Sequence, residues 1–243
     1  MERSAPRRPD GEDFHRGLSY ALWLPDDPPP WPGMVIVHGA GSRKENHADF
    51  ARLATAAGWA ALAFDLPGHG ASLPPMSGDA VDDVVAMASL LGSQEEVDAS
   101  RVAVRGSSLG GFLAIQATAA SPVIAGAIAI CPAGERHLAG GLRRGDLEMR
   151  VEDPLGLEAW LLTQDLGDAV ERIAPRPLTL MHAEGDTQIP SEHSEDLYER
   201  AGDPRKLVIA PGGAHQSVQH DAELQGVALR WLGRELAARE SSR

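Results

Sequence analysis

Short runs of consecutive apolar residues alternate with helix-like segments along most of the chain. Nearly every position in these runs is hydrophobic, which is typical of strands buried on both faces of a parallel sheet. Six such strands are predicted, within residues 34–39, 59–66, 101–106, 123–132, 177–186 and 206–215. Helices are predicted between and after them, at 47–58, 80–92, 111–120, 191–201 and 223–236. This alternation predicts an α/β fold, with helices on both faces of a mostly parallel sheet.

Two regions depart from the alternation. Residues 17–25, GLSYALWLP, alternate apolar and polar positions, so we expect an antiparallel strand at an edge of the sheet. Residues 133–170 are longer than a crossover helix requires, and long inserts in compact domains often form lids or binding loops. We therefore expect a short lid insertion at about 133–165, followed by a crossover helix that ends near Ala174.

Length and composition indicate one soluble domain. The 243 residues show no repeat and no low-complexity linker. We expect a loose tail over residues 1–13 and a single domain over 14–243. The net charge of −13 argues against nucleic acid and anionic membranes as partners. The lone Cys131 and the lack of an apolar secretory segment at the N-terminus favour a cytoplasmic location. Oligomeric state is not indicated.

A serine motif lies at the junction of the third predicted strand and the next helix. Gly106-Ser107-Ser108-Leu109-Gly110 fits G-x-S-x-G, in which a sharp strand-to-helix turn exposes the central serine. Glycines flank the turn because side chains there would collide with the neighbouring strand or helix. A plain glycine-rich turn gives a similar pattern, so the motif alone leaves both interpretations open.

The residues that a nucleophilic serine needs follow in order. A serine hydroxyl requires a base, which in turn requires an orienting carboxylate. Asp186 follows the fifth predicted strand and His215 follows the sixth, so all three groups lie at one edge of the sheet. Separately, Asp186 could be a turn residue and His215 a surface histidine. Together, the order and the placement predict a Ser108–Asp186–His215 triad.

Two further strand ends carry polar residues. His38 and Asp65 follow the first and second predicted strands, and we expect His38 to brace a loop rather than to act as a catalyst. The loop HGAGS, residues 38–42, offers the backbone N–H of Ala40 as an oxyanion donor beside that of Leu109. Its glycines, Gly39 and Gly41, allow a substrate to approach the backbone closely.

The motifs HGAG, FDLPGHGAS, GSSLGG, HAEGDTQIP and GGAH together resemble the α/β-hydrolase fold superfamily from about residue 17 to the C-terminus. The resemblance implies an eight-stranded, mostly parallel sheet and the Ser108–Asp186–His215 triad. It is closest to compact esterases, thioesterases and serine-aminopeptidase-like members. Two departures are Ala183, where the family often has glycine, and the order Gly-Gly-Ala-His before His215. His220 is the alternative base.

These features predict a serine hydrolase that cleaves a carboxylic ester or thioester of a small molecule through an acyl-enzyme. The alternatives are a small peptidase or amidase with the same triad, and a non-catalytic binding protein of the same fold. Trp160 could line an acyl pocket and Arg143 and Arg144 could meet an anionic substrate, although a core position and a solvated surface are the ordinary roles of such residues. No cofactor is expected. No metal site is expected either, because the histidines lack paired-ligand spacing.

Overall fold

Eight strands form one sheet, and helices cover both of its faces. The structure is a computed structural model that describes residues 6–240. The strands are β1 (Gly11–His15), β2 (Leu18–Trp23), β3 (Trp31–Val37), β4 (Ala60–Phe64), β5 (Val97–Ser107), β6 (Gly126–Ile130), β7 (Leu178–Ala183) and β8 (Arg205–Ala210). The helices are α1 (Ala48–Ala56), α2 (Ala80–Gly92), α3 (Leu109–Ala120), α4 (Glu135–Arg144), α5 (Pro154–Thr163), α6 (Leu166–Ile173), α7 (Glu192–Arg200) and α8 (Ala222–Glu240). Short 3-10 helices occupy Lys44–His47 and Val218–His220.

The sheet order is β1-β2-β4-β3-β5-β6-β7-β8. The six strands from β4 to β8 in this order run parallel, whereas β1 and β2 are antiparallel to their neighbours. The predicted eight-stranded, mostly parallel sheet is therefore confirmed. Parallel strands place their carboxyl ends at one edge, so the loops after β3, β5, β7 and β8 converge there.

The outermost strand on the β1 side of the sheet differs from the sequence prediction. The strand predicted at 17–25 is antiparallel, as expected, but it is covered by β1 and is not the outermost strand. Because β1 begins at Gly11, the last residues of the tail expected over 1–13 belong to a strand instead. Residues 1–5 lie outside the described part of the chain. The sequence GEDFH gave no strand signal because four of its five residues are exposed, although it pairs with β2 along its whole length.

Two apolar layers enclose the sheet, one on each face. Helices α2, α3 and α6 contribute to one layer, in which Phe112 and Leu113 of α3 are fully buried. Helices α1 and α8 contribute to the other, with Phe50 and Leu232. Burial on both faces explains why the central strands are almost entirely apolar. None of the described helices combines the length and the apolar character needed to cross a bilayer.

The insertion after β6 contains the two helices α4 and α5. Hydrogen bonds join the segment between these helices to the loops at the carboxyl ends of β3 and β4. The N–H of Gly41 donates to the carbonyl of Glu148 at 3.1 Å, and the N–H of Arg150 donates to the carbonyl of Gly68 at 2.9 Å. The Arg150 guanidinium also donates to the carbonyls of residues 72–74. The segment therefore bridges the loops after β3 and β4. The crossover helix α6 follows and ends at the position predicted.

Candidate active site

Ser108 occupies a strained turn between β5 and α3. Its backbone has φ +54° and ψ −118°, a region that non-glycine residues rarely adopt. A Cβ on Gly106 would overlap the carbonyl of Gly110, and a Cβ on Gly110 would overlap the carbonyls of Val37 and His38. The chain can pass this closely only because both flanking positions are glycine. The turn has the form expected of a nucleophile elbow.

His215 and Asp186 form a short hydrogen-bonded pair. The distance between His215 Nδ1 and Asp186 Oδ2 is 2.6 Å, and the carboxylate is buried. The other carboxylate oxygen accepts from the N–H groups of Gln188 at 2.9 Å and Ile189 at 3.0 Å. Burial raises the pKa of Asp186, but the hydrogen bonds from His215 and from these two amides outweigh it and hold the pKa below its ordinary value. An ionised Asp186 fixes the proton of His215 on Nδ1 and leaves Nε2 as an acceptor.

Ser108 and His215 line the same cavity, which has a volume of about 270 Å³. Within residues 6–240 no hydrogen bond joins the Ser108 hydroxyl to His215. The cavity also includes the loop after β3 and part of helix α4. The strand ends thus bring the three residues predicted as a triad to one place.

Two backbone N–H groups near Ser108, those of Ala40 and of the next residue, Leu109, have no hydrogen-bond partner within residues 6–240. Leu109 is the first residue of α3, so its N–H belongs to the positive end of the helix dipole. Ala40 lines the cavity. Neither N–H group is therefore occupied by an acceptor in the described part of the chain.

His38 braces the loop that carries Ala40. Its Nδ1 donates to the carbonyl of Gly39 at 2.7 Å, and its Nε2 accepts from the N–H of Leu66 at 2.9 Å. The Gly39 carbonyl and the Ala40 N–H belong to one trans peptide, so fixing the carbonyl directs the N–H the opposite way. Burial lowers the pKa of His38 to about 4, which keeps the ring neutral. The bracing role expected from the sequence agrees with these contacts.

Asp65, the other polar residue predicted at a strand end, is buried beneath the neighbouring loop. It accepts from Lys44 Nζ at 2.9 Å, from the Lys44 N–H at 2.8 Å and from the Ala71 N–H at 2.9 Å. Burial raises its pKa, but these hydrogen bonds outweigh burial and the pKa is lowered. Asp65 therefore connects the loops after β3 and β4.

Sequence reasoning did not single out His182, which supports Asp186. His182 is fully buried in β7, and its Nε2 lies 2.9 Å from the carbonyl of Ile189 and 3.3 Å from Asp186 Oδ2. Its Nδ1 lies 2.7 Å from the Ser194 hydroxyl. These contacts hold the turn that carries Asp186. A histidine inside an apolar strand has no sequence pattern that separates this role from ordinary packing.

Cys131 lies next to the same pair. Its thiol, the Asp186 carboxylate and a nitrogen of His215 are within 4.8 Å of one another, and in the described part of the chain this is the one trio arranged as metal ligands could be. Burial raises the pKa of the thiol to about 12, which disfavours the thiolate that a metal would need. The His215 nitrogen facing Asp186 is also occupied by its hydrogen bond. Cys131 is buried, as the sequence indicated.

The predicted substrate contacts divide into two groups. Gly39 and Gly41 line the cavity, whereas Trp160, Arg143 and Arg144 do not. Trp160 packs edge-on against Phe112 with ring centroids 6.1 Å apart, and Arg143 pairs with Glu158 at 2.8 Å. Arg144 is paired at 2.6 Å with Asp146, which does line the cavity, so its charge is already matched by a carboxylate. An acyl-pocket role for the tryptophan and an anion-binding role for the arginines therefore have no support in their positions.

The alternative base, His220, also lines the cavity but has a different partner. Its Nδ1 is 2.8 Å from Asp49 Oδ2, and both side chains are more than 40% exposed. The loop that carries both histidines is anchored by Arg105, a fully buried residue whose guanidinium donates to the carbonyl of Gln219 at 2.8 Å. His215 differs from His220 in having a buried acid partner held by two backbone amides.

Comparison with known proteins agrees with this architecture. A model of the alpha/beta hydrolase family matches residues 34–172, more than half of the chain. The uncharacterized protein YfhR of Escherichia coli is 26% identical over 162 residues, which are 63% of this chain and 51% of YfhR, so the chain spans about half of that relative.

Solved structures share the fold over nearly the whole chain. The alpha/beta hydrolase GrgF from Penicillium sp. sh18 has a TM-score of 0.77 at 19% identity, covering 93% of this chain and 98% of GrgF. Est1E from Butyrivibrio proteoclasticus has a TM-score of 0.74 at 21% identity, covering 94% of this chain and 98% of Est1E. From the fold, the strained serine turn and the family match, this chain belongs to the alpha/beta hydrolase family.

Proposed function

We propose that this protein is a cofactor-independent serine hydrolase that cleaves a carboxylic ester or thioester through an acyl-enzyme intermediate. The observation that carries the proposal is the strained Ser108 in one cavity with His215, whose Nδ1 is hydrogen-bonded to the buried Asp186 at 2.6 Å. A serine held at positive φ, in one cavity with a histidine that is paired to a buried carboxylate, is suited to nucleophilic attack.

In the first half-reaction, His215 Nε2 takes the proton of the Ser108 hydroxyl as the oxygen attacks the substrate carbonyl. Asp186 keeps the His215 ring oriented and stabilises the imidazolium that forms. The N–H groups of Ala40 and Leu109 bind the oxyanion, and one such donor contributes about 3–4 kcal/mol to the transition state. His215 then protonates the departing alcohol or thiol.

In the second half-reaction, water enters the place that the leaving group has vacated. His215 takes a proton from this water, which attacks the acyl-Ser108 carbonyl, and the same two N–H groups bind the second oxyanion. Return of the proton to Ser108 releases the acid.

We also propose a cytoplasmic location, because the single cysteine is a buried free thiol.

The test is the initial rate of hydrolysis of p-nitrophenyl acetate, butyrate, octanoate and palmitate. We expect wild-type rates to be highest on the short esters and Ser108→Ala to have none above background, with unchanged circular dichroism. A fluorophosphonate probe should add its mass to the peptide containing Ser108. A folded Ser108→Ala protein that still hydrolyses the esters at near wild-type rates would contradict the proposal.

A matched pair of variants identifies the base. His215→Gln should lose at least about 1,000-fold in kcat, because the general base is removed, whereas His220→Gln should keep most of the activity. The reverse result would assign the base to His220 and its Asp49 partner. Aminoacyl anilides tested beside the corresponding aminoacyl esters distinguish an amidase, and activity on the anilides alone would favour that alternative.

A further inference from the structure

The cavity at Ser108 is lined mainly by neutral side chains that form hydrogen bonds. Four of them are carboxamides, from Asn46, Gln188, Gln216 and Gln219. Within residues 6–240, no lysine or arginine lines this cavity, and Asp146 is its one acidic side chain. A carboxamide offers two N–H donors and an acceptor oxygen, which match hydroxyl groups that both donate and accept.

This lining disfavours two substrate classes. An anionic substrate would meet no lysine or arginine among the residues lining the cavity, where the nearby Arg144 is already paired with Asp146 at 2.6 Å, and it would approach a protein of net charge −13. A long aliphatic chain would remove the carboxamides from water without replacing their hydrogen bonds, which costs free energy for each group left unsatisfied. A neutral and strongly hydrogen-bonding group avoids both penalties.

Three of the four carboxamides belong to the segments that carry His215 and Asp186. The base gives its proton to the leaving oxygen, so the alcohol has to lie beside His215 Nε2. Gln216 and Gln219 belong to the same loop as His215, and Gln188 follows Asp186 by two residues. The guanidinium of Arg105 fixes this loop through the Gln219 carbonyl at 2.8 Å. Gln216 and Gln219 are therefore presented on an anchored loop.

The volume of the cavity limits the size of the acyl group and of the alcohol that an ester substrate can have. The apolar side chains in the cavity are those of Ala40, Leu138 and Leu147, and the volume of about 270 Å³ is near the lower end for ligand sites. Both features favour a short acyl group. Asn46 also borders an adjoining open cleft of about 440 Å³, which leaves room for a larger alcohol. Its lining includes His69 and one charged side chain of each sign, Arg43 and Glu148.

We propose that the substrate is a short-chain ester of a neutral, hydroxyl-rich alcohol, a sugar or polyol. This inference rests on the serine-hydrolase function proposed above. The carboxamides on the His215 loop and after Asp186 bind the alcohol hydroxyls, and the apolar residues of the insertion border the acyl methyl groups.

The test compares two acetates whose leaving groups are both unactivated primary alcohols, methyl 6-O-acetyl-glucoside and n-hexyl acetate, by the rate of acetate release. The wild-type kcat/KM should be at least about tenfold higher on the sugar ester. Gln216→Leu should reduce kcat/KM on the sugar ester by roughly five- to tenfold, the effect of losing a substrate hydrogen bond, and should reduce it less on the hexyl ester. The matched control is Gln94→Leu, at the opposite edge of the sheet, which should behave as wild type on both esters.

The outcomes separate this inference from the proposed function. If p-nitrophenyl acetate is cleaved but hexyl acetate is as good a substrate as the sugar ester, the hydroxyl-rich alcohol is wrong and the serine hydrolase stands. If Gln216→Leu loses equally on both esters, the carboxamide does not recognise the alcohol. If the folded protein cleaves none of the three acetates, both proposals fail.

Discussion

Replacing Asp186 by asparagine tests the proposed acid–base pair with almost no change in shape. The amide oxygen of the new residue would still accept from the N–H groups of Gln188 and Ile189, which now bind Asp186 Oδ1 at 2.9 and 3.0 Å. The amide nitrogen would then face His215 Nδ1 at the position where the carboxylate oxygen lies 2.6 Å away. Since that nitrogen is a donor, His215 would have to accept at Nδ1 and carry its proton on Nε2.

A His215 protonated on Nε2 cannot take the proton of Ser108. In serine proteases the corresponding change of tautomer lowers kcat by about 10⁴, equivalent to about 5.5 kcal/mol of transition-state stabilisation. We expect a loss of that order for Asp186→Asn, with KM changed far less because the oxyanion donors and the cavity are untouched. Fluorophosphonate labelling of Ser108 should slow in parallel.

The assay is steady-state hydrolysis of p-nitrophenyl acetate, with the thermal midpoint measured on the same samples. The matched control is Asp49→Asn, which alters the second histidine–aspartate pair at this cavity, His220 with Asp49 at 2.8 Å, and should keep kcat within about threefold of wild type. A folded Asp186→Asn protein with more than a tenth of the wild-type kcat would refute the orientation argument. A large loss in Asp49→Asn instead would transfer the role of base to His220.

Three further predictions follow from the same edge of the sheet. Gly110→Ala should abolish esterase activity and lower the thermal midpoint, because its Cβ would overlap two backbone carbonyls; an active variant with an unchanged midpoint would contradict the steric argument. Burial lowers the pKa of His38 to about 4, whereas the unfolded chain binds this proton near pH 6.5. The contribution of His38 to the free energy of unfolding is therefore complete above pH 6.5 and is lost as the pH falls toward 4, by up to about 3 kcal/mol. Urea unfolding across this range should show that loss, and His38→Gln should reduce the slope of unfolding free energy against pH. Cys131, buried with a pKa raised to about 12, should not react with a thiol reagent at pH 8 until the protein is unfolded, and rapid labelling of the native protein would show that the site opens.

The central fold was predictable because burial on both faces leaves a simple pattern. The runs that became β3 to β8 are apolar at nearly every position, and α2 begins and ends at the predicted residues, 80 and 92. Strand β1 gave no such pattern, because backbone hydrogen bonds alone can hold a polar segment at an edge. The contacts of Glu148 with the loop after β3 and of Arg150 with the loop after β4 were not predictable either, since they depend on backbone groups of distant segments.

The sequence predicts the candidate residues and the strand ends that carry them, but not their surroundings. Order along the chain points to Ser108, Asp186 and His215 as candidates, because connection order is part of the fold. Sequence order does not indicate which side chains border the cavity. Trp160 was a reasonable acyl-pocket residue from its position in the insertion, yet helix α5 turns it toward Phe112. The four carboxamides come from three separate segments, so only the folded chain brings them together.

The buried polar groups at this edge explain how loops can hold a precise arrangement. Four buried polar side chains form hydrogen bonds with backbone groups of these loops: those of His38, Asp65, Arg105 and His182. Burying such groups is unfavourable unless those hydrogen bonds form, so any displacement of a loop leaves a buried donor or acceptor unsatisfied. That penalty restricts the loops to the positions at which Ala40 and His215 line one cavity with the strained serine and Asp186 pairs with His215. The strain at Ser108 persists for the same reason, because the surrounding hydrogen bonds and the glycine contacts leave the turn no relaxed alternative.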